Sequence, residues 1–214
     1  MDVLTQNFSV YGQGFLGTVE LTVYASLLAL ALGFVMASFR VSPVRSLRAL
    51  GTVWVTVLRN TPLTLLFFAV VLGLPRFGLV LPFQLFAVLA LGCYTSAFIC
   101  EVLRSGINTV PTGQGEAARS LGMSFGQTLG TVVLPQAFRT VIPPIGSTLI
   151  ALAKNSAIAG AFSVTELLGT YKILSEMGFD IIWIFIWIAV GYLIITLSIS
   201  ALFHVLEKRW GVAR

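Results

Sequence analysis

Few side chains in this 214-residue chain could do chemistry, and the most conspicuous of them lie inside apolar sequence. Lys154 stands eleven residues beyond Pro143, about 16 Å along a helix, and is followed by Asn155 and Ser156. An ammonium group exposed to hydrocarbon costs roughly 2.5 to 3.5 kcal/mol, so Lys154 must face other helices or a wet cavity. Glu166 lies twelve residues further on, about 18 Å, too far to pair with Lys154 along one helix. Glu101 and Arg104 are spaced i, i+3 and suit one another as a pair on one helix face. Glu20 and His204 fall near the ends of apolar blocks, where contact with the membrane interface is the default reading. A hydrolytic site has little support, since His204 is the only histidine and no serine stands in a G-x-S-x-G setting. None of Lys154, Lys172 and Lys208 follows a glycine, as the lysine of a phosphate-binding loop must.

The elements that must position these groups are membrane helices. Hydrophobic residues make up 57% of the chain and charged residues only 10%, against roughly a quarter in soluble domains. Apolar blocks predict five spans at about 15–39, 51–74, 83–107, 142–163 and 181–206, each long enough to cross a hydrocarbon core about 30 Å thick. The period-two alternation of a membrane barrel is absent. The formal charge of +5 comes without a basic run interleaved with aromatics, so no nucleic-acid partner is expected. No Lys or Arg precedes Arg40 and the first apolar block exceeds a signal-peptide core, so it is expected to remain as a spanning helix.

With the N-terminus outside, Arg40, Arg45, Arg48, Arg59, Arg104, Arg119, Arg139, Lys208, Arg209 and Arg214 all fall on the cytoplasmic side, and only Arg76 and Lys172 outside. That asymmetry is the one the positive-inside bias produces. Ala25, Ala29, Gly33 and Ala37 recur every four residues on the first span, and Ala153, Ala157 and Ala161 on the fourth, a spacing that lets helix backbones approach closely. In the second span Thr61 is placed to cap a helix beginning at Pro62, so the span should bend or restart there. Cys93 and Cys100, seven residues apart on one helix, are too distant for a disulfide and read as packing residues.

Between the third and fourth spans, Pro111 to Pro135 reads PTGQGEAARSLGMSFGQTLGTVVLP, a length that usually signals function. Glu116 to Leu121 is a run of good helix formers, and Gly122 can take a backbone conformation closed to other residues, so a short surface helix ended by a sharp turn is predicted. Glu116, Ala117 and Ala118, followed by Gly122 and then by Val132, Leu134 and Pro135, resemble the EAA signature of ABC importer permeases, the departure being Val132 in place of isoleucine. RNTPLTL from Arg59, YTSAFICEVLRSGINTV from Tyr94 and LAKNSAIA from Leu152 resemble the matching blocks of polar amino-acid importer permeases; with RVSPV from Arg40 they look closest to the actinobacterial glutamate-importer permeases.

The resemblance implies an all-α integral membrane fold of the type I ABC importer permease kind, with five transmembrane helices and a cytoplasmic coupling helix. It implies one permease domain over 1–214 with the coupling loop at 108–135 inside it. Glu116, Ala117, Ala118 and Gly122 would then meet a separate ABC ATPase dimer that carries the ATP and Mg, leaving this chain without a cofactor or a reaction of its own. Lys154, Asn155 and Ser156 would lie near the substrate path, and Glu166 could meet the substrate's ammonium group. Two structural readings stay open beside these: Lys154 bonded to carbonyls of a broken helix, and Glu166 as a helix-end carboxylate bonded to backbone. Further implied are an extracellular binding protein, a second permease subunit in a heterodimer or a second copy in a homodimer, glutamate or another polar amino acid as substrate, and a place in the bacterial cell membrane with the C-terminus cytoplasmic. The rival reading is an ion-gradient-driven secondary carrier using Lys154, Glu101 and Glu166, against which stands the lack of an inverted repeat.

Overall fold

The structure, a computed structural model, describes residues 2–210. Every regular element among them is helical: α1 (Asp2–Gln6), α2 (Phe8–Val41), α3 (Arg45–Asn60), α4 (Leu63–Phe68), α5 (Phe83–Asn108), α6 (Thr112–Ser120), α7 (Phe125–Gln127), α8 (Leu134–Asn155), α9 (Thr170–Glu176) and α10 (Ile181–Arg209). Helices α2, α5 and α10 and the continuous run Thr128–Phe162 are each long and apolar enough to cross a membrane. Helix α3 and the run Leu63–Phe77 pass that test only together, and they meet at a bend of 109°. Arg214, counted in the charge split, lies outside the described residues.

The first span is longer than its hydropathy suggests, starting at Phe8 rather than near 15. Gly14 and Gly17 near its start lie in close contact with the chain that follows the fourth span. A Cβ on Gly14 would come within 3.1 Å of the Leu167 Cα, and Gly17 lies directly against the Thr165 carbonyl. Glu20 is therefore well inside α2 and exposed, not near a helix end.

Further along α2, Ala25, Ala29, Gly33 and Ala37 are all buried, and α2 makes its broadest contact with α5. A Cβ on Gly33 would lie 2.7 Å from the Ile99 Cβ and 3.1 Å from the Ser96 carbonyl, so the small residue sets the helix separation. The stripe on the fourth span behaves differently. Ala153 is buried and Ala161 exposed, because the helix tightens to a 3-10 form over Ser156–Phe162 and the four-residue register is lost. Cys93 and Cys100 are free thiols, as their spacing requires.

At the break in the second span, Thr61 and Pro62 are both extended, with ψ of 129° and 136°. The expected cap does not form. Thr61 Oγ1 instead donates back to the Val57 carbonyl at 2.8 Å and Asn60 Nδ2 to the Thr56 carbonyl at 2.8 Å, closing α3 so that the next helix starts at Leu63. The chain from Phe125 is already helical and passes through a π-turn, Thr128–Val133, straight into α8. The second half of the segment read as a loop is thus the root of a spanning helix.

Candidate functional site

The short surface helix predicted around Glu116 is α6, and its end follows from Gly122. That residue has φ of +83°, and around it the Gly122 amide donates to the Arg119 carbonyl at 2.9 Å and the Met123 amide to the Ala118 carbonyl at 3.2 Å. These two bonds form the glycine-dependent helix terminus known as the Schellman motif, which satisfies carbonyls the helix leaves open. Ala118 is buried, whereas Glu116, Ala117, Arg119 and Leu121 are exposed, so α6 presents a free face. Arg119 turns its Nε toward the Gly115 carbonyl rather than to Glu116. The next helix starts with reciprocal bonds: the Ser124 amide donates to Gln127 Oε1 at 2.9 Å and the Gln127 amide to Ser124 Oγ at 3.3 Å. This is the capping box that the S-x-x-Q spacing of Ser124 and Gln127 encodes. It delivers the chain to Thr128, buried beneath α6 at the base of the fourth span.

Two cavities border α5, one between it, α3 and the end of α2, the other between it and α8. One, of about 460 Å³, is bordered by Arg40, Thr56, Arg59, Asn60, Phe98 and Glu101. The other, of about 350 Å³, is bordered by Tyr94, Phe98, Thr148, Ala151 and Asn155. Glu101 and Arg104 pair at 2.9 Å as their spacing predicts, and the same carboxylate also pairs with Arg40 from α2. Arg40 is a participant that sequence could not offer, since nothing in a linear reading brings residue 40 to residue 101. Arg59 lays its guanidinium over the Phe98 ring, 5.4 Å from the centroid. Trp54 Nε1 donates to Ser96 Oγ at 3.0 Å and pins α3 to α5 behind the cavities.

Of the four residues expected near a path, Asn155 borders a cavity. Lys154 is exposed and borders neither cavity, although on α8 it follows Ser147 and Ala151, which border the second, along one stripe. Ser156 points the other way: it is buried and donates to the Ala153 carbonyl at 2.7 Å. Glu166 is only 1% exposed and does not reach either cavity. Its carboxylate accepts from the Leu168 amide at 2.7 Å, from the Gly169 amide and from the Tyr192 hydroxyl at 2.7 Å. Burial pushes this carboxyl above its ordinary range, and the Tyr192 hydroxyl and the two amides pull it back. Of the two readings left open for Glu166, these bonds match the helix-end carboxylate bonded to backbone. Gly160 leaves the room the carboxylate occupies, and Thr18 Oγ1 receives the neighbouring Leu167 amide at 2.9 Å.

The family of binding-protein-dependent transport system inner membrane components matches residues 29–212. The chain belongs to this family. It is 38% identical over 209 residues to a probable glutamine ABC transporter permease protein, GlnM, of Bacillus subtilis, covering 98% of this chain and 97% of the relative. It is 41% identical over 211 residues to a glutamate transport system permease protein, GluC, of Corynebacterium glutamicum, covering 92% of each. Its fold superposes on a chain of an amino acid ABC transporter crystallised with histidines with a TM-score of 0.90, at 30% identity and 96% coverage of both chains.

As a permease of this family, the chain is the multi-pass membrane subunit of an ABC importer and not itself an enzyme. The ion-gradient carrier is thereby set aside. For a permease, the arrangement has a mechanical consequence. The run Thr128–Phe162 begins under α6 and, twenty residues and about 30 Å later, supplies Thr148 and then Asn155 to the cavity wall.

Proposed function

We propose that this permease forms part of the translocation path for glutamate or another polar amino acid, and that a separate ATPase drives it through α6 and its Gly122 turn. The observation that carries this reading is the single helical run that joins the base of α6 to the cavity lined by Thr148 and Asn155. A push on α6 reaches the cavity wall through one backbone-bonded element. Glu116, Ala117, Ala118 and Gly122 form the coupling surface within 108–135 of a single permease domain, and ATP and Mg act on the ATPase dimer.

The N-terminus lies outside and α6 in the cytoplasm, because that orientation keeps the cationic ends of the helices on the side from which insertion proceeds. Both cavities are partly open in the single subunit, and a second permease subunit closes them; the likeness to the glutamate type supports a heterodimer. An extracellular binding protein delivers the amino acid. Lys154, exposed one residue before the cavity-lining Asn155, attracts its carboxylate, and Asn155 offers it hydrogen bonds, while Ser156 and Glu166 hold the backbone that presents them.

The test is reconstitution of the permease pair and ATPase in liposomes with loaded binding protein outside. Uptake of labelled glutamate should require ATP inside and should not respond to an ion gradient. Failure to carry any of glutamate, glutamine and aspartate under these conditions contradicts the substrate class.

A further inference from the structure

Among the described residues, Phe98 is the one that borders both cavities, and two neighbours, Tyr94 and Arg59, contact its ring. It sits on α5, half-buried, with the Tyr94 ring one turn earlier at 5.1 Å and the Arg59 guanidinium on its face at 5.4 Å. One turn later, Glu101 is fixed by Arg40 from α2 and by Arg104. The helix that carries Phe98 is the most enclosed of the spans, locked to α2 by Gly33 and Gly92 and to α3 by the Trp54–Ser96 bond. Arg59 stands on very different ground. It is exposed and lies two residues before Thr61 and Pro62, where the second span breaks by 109°. The ring therefore belongs to the rigid part of the permease, and the cation that covers it belongs to the end of a helix with no continuous backbone hydrogen bonding to the next.

We infer that Phe98, held by Arg59, is the barrier that divides the path into an outer and an inner chamber, and that displacement of the end of α3 at the Thr61–Pro62 break is what uncovers it. An aromatic face attracts a guanidinium through the ring's quadrupole, so the stack closes the waist with apolar surface on one side and a charge on the other. The chambers differ in kind. The one against α8 is walled by Tyr94, Thr148 and Asn155, and the one against α3 by Arg40, Arg59 and the Glu101 carboxylate. A solute passing from the first to the second must cross the level of Phe98. This inference rests on the reading of the two cavities as the path.

The experiment uses the full complex in liposomes, loaded with labelled glutamate and without ATP, so that only passive exit is read; the wild-type complex must first show ATP-driven uptake of the same probe. Phe98→Ala should raise passive exit by about tenfold or more, the change a modest loss of barrier height produces. Phe98→Tyr, which keeps the ring, should stay near wild type, and Arg59→Gln should leak less than Phe98→Ala but more than wild type. Phe98→Leu guards against misfolding, since it keeps apolar volume but cannot receive the guanidinium, and it should leak as well. Thr148→Trp, which fills the chamber against α8, should abolish driven uptake. If Thr148→Trp blocks uptake while neither Phe98→Ala nor Phe98→Leu leaks, the path stands and Phe98 is not its barrier. If Thr148→Trp transports normally, the cavities are not the path, and the barrier assignment falls with it.

Discussion

The two faces of α5 are made from one stretch of sequence and do opposite things. Toward α2 it offers Gly92, Ser96 and Ile99, all buried, and the helices touch almost backbone to backbone. Toward the open side it offers Tyr94, Phe98 and Glu101, half-buried and polar or aromatic. In lipid there is no hydrophobic drive to bring apolar helices together, so lasting contact is made where small residues permit dense packing. Polar and aromatic groups at the same depth are tolerated where a cavity or another subunit will meet them. Within a membrane helix, side-chain size marks the permanent contacts and side-chain polarity the working surface.

The comparison breaks first, and most severely, at Gly33. Gly33→Leu places a branched side chain where even a Cβ would lie 2.7 Å from the Ile99 Cβ, so α2 and α5 must separate. Overpacking of this kind costs about 1 to 3 kcal/mol or more, and the expected outcome is little permease recovered from membranes in assembled form. Recovery at wild-type levels would mean that the α2–α5 contact is not what holds the spans together.

The carboxylate of Glu166 offers a second test on the packed side, one that removes a partner instead of adding bulk. Glu166→Ala strands two amides and the Tyr192 hydroxyl in a buried site, at about 1 to 3 kcal/mol for each donor left unmade. The purified subunit should melt several degrees lower, while Glu166→Gln, which keeps an acceptor, should lose less. Equal melting of both variants and wild type would remove Glu166 from the structural core and reopen a transport role.

On the open face the same kind of change should leave stability alone. Ala151→Leu adds bulk beside a cavity, not between helices, so assembly should match wild type and uptake should fall as the chamber narrows. Smaller still is Lys154→Met, for which we expect normal assembly and about a tenfold drop in uptake of an acidic amino acid, equivalent to one charge interaction of about 1.4 kcal/mol. Unchanged glutamate uptake in a strain without another route would take Lys154 out of substrate recognition.

Much of this was legible in the sequence, and the failures share one cause. Local signals held: Gly122 takes the positive φ its place in the EAA segment suggested, Glu101 and Arg104 pair along one helix, and the break at Thr61–Pro62 lies where proline and threonine marked it. Errors arose where distant segments decide the outcome. The helix from Phe8 is fixed by packing against residues 165–170, the Arg40–Glu101 pair joins two spans, and Ser156 and Glu166 turn inward because the run after Asn155 tightens and folds back toward Thr18 and Tyr192. A linear pattern has no term for those contacts.

The central claim, that force from an ATPase enters through α6 and reaches the cavity along one helical run, is tested most directly at Gly122. A valine there must adopt φ near +83° or give up the two bonds that end α6. No neighbouring atom lies within 4 Å of the Cβ position, so the fold of the spans should survive. The measurement is ATPase activity of the purified complex with and without loaded binding protein. The account predicts a Gly122→Val permease that inserts and assembles with its partner permease, yet shows no stimulation by loaded binding protein and no uptake. Wild-type stimulation and uptake in that variant would contradict it.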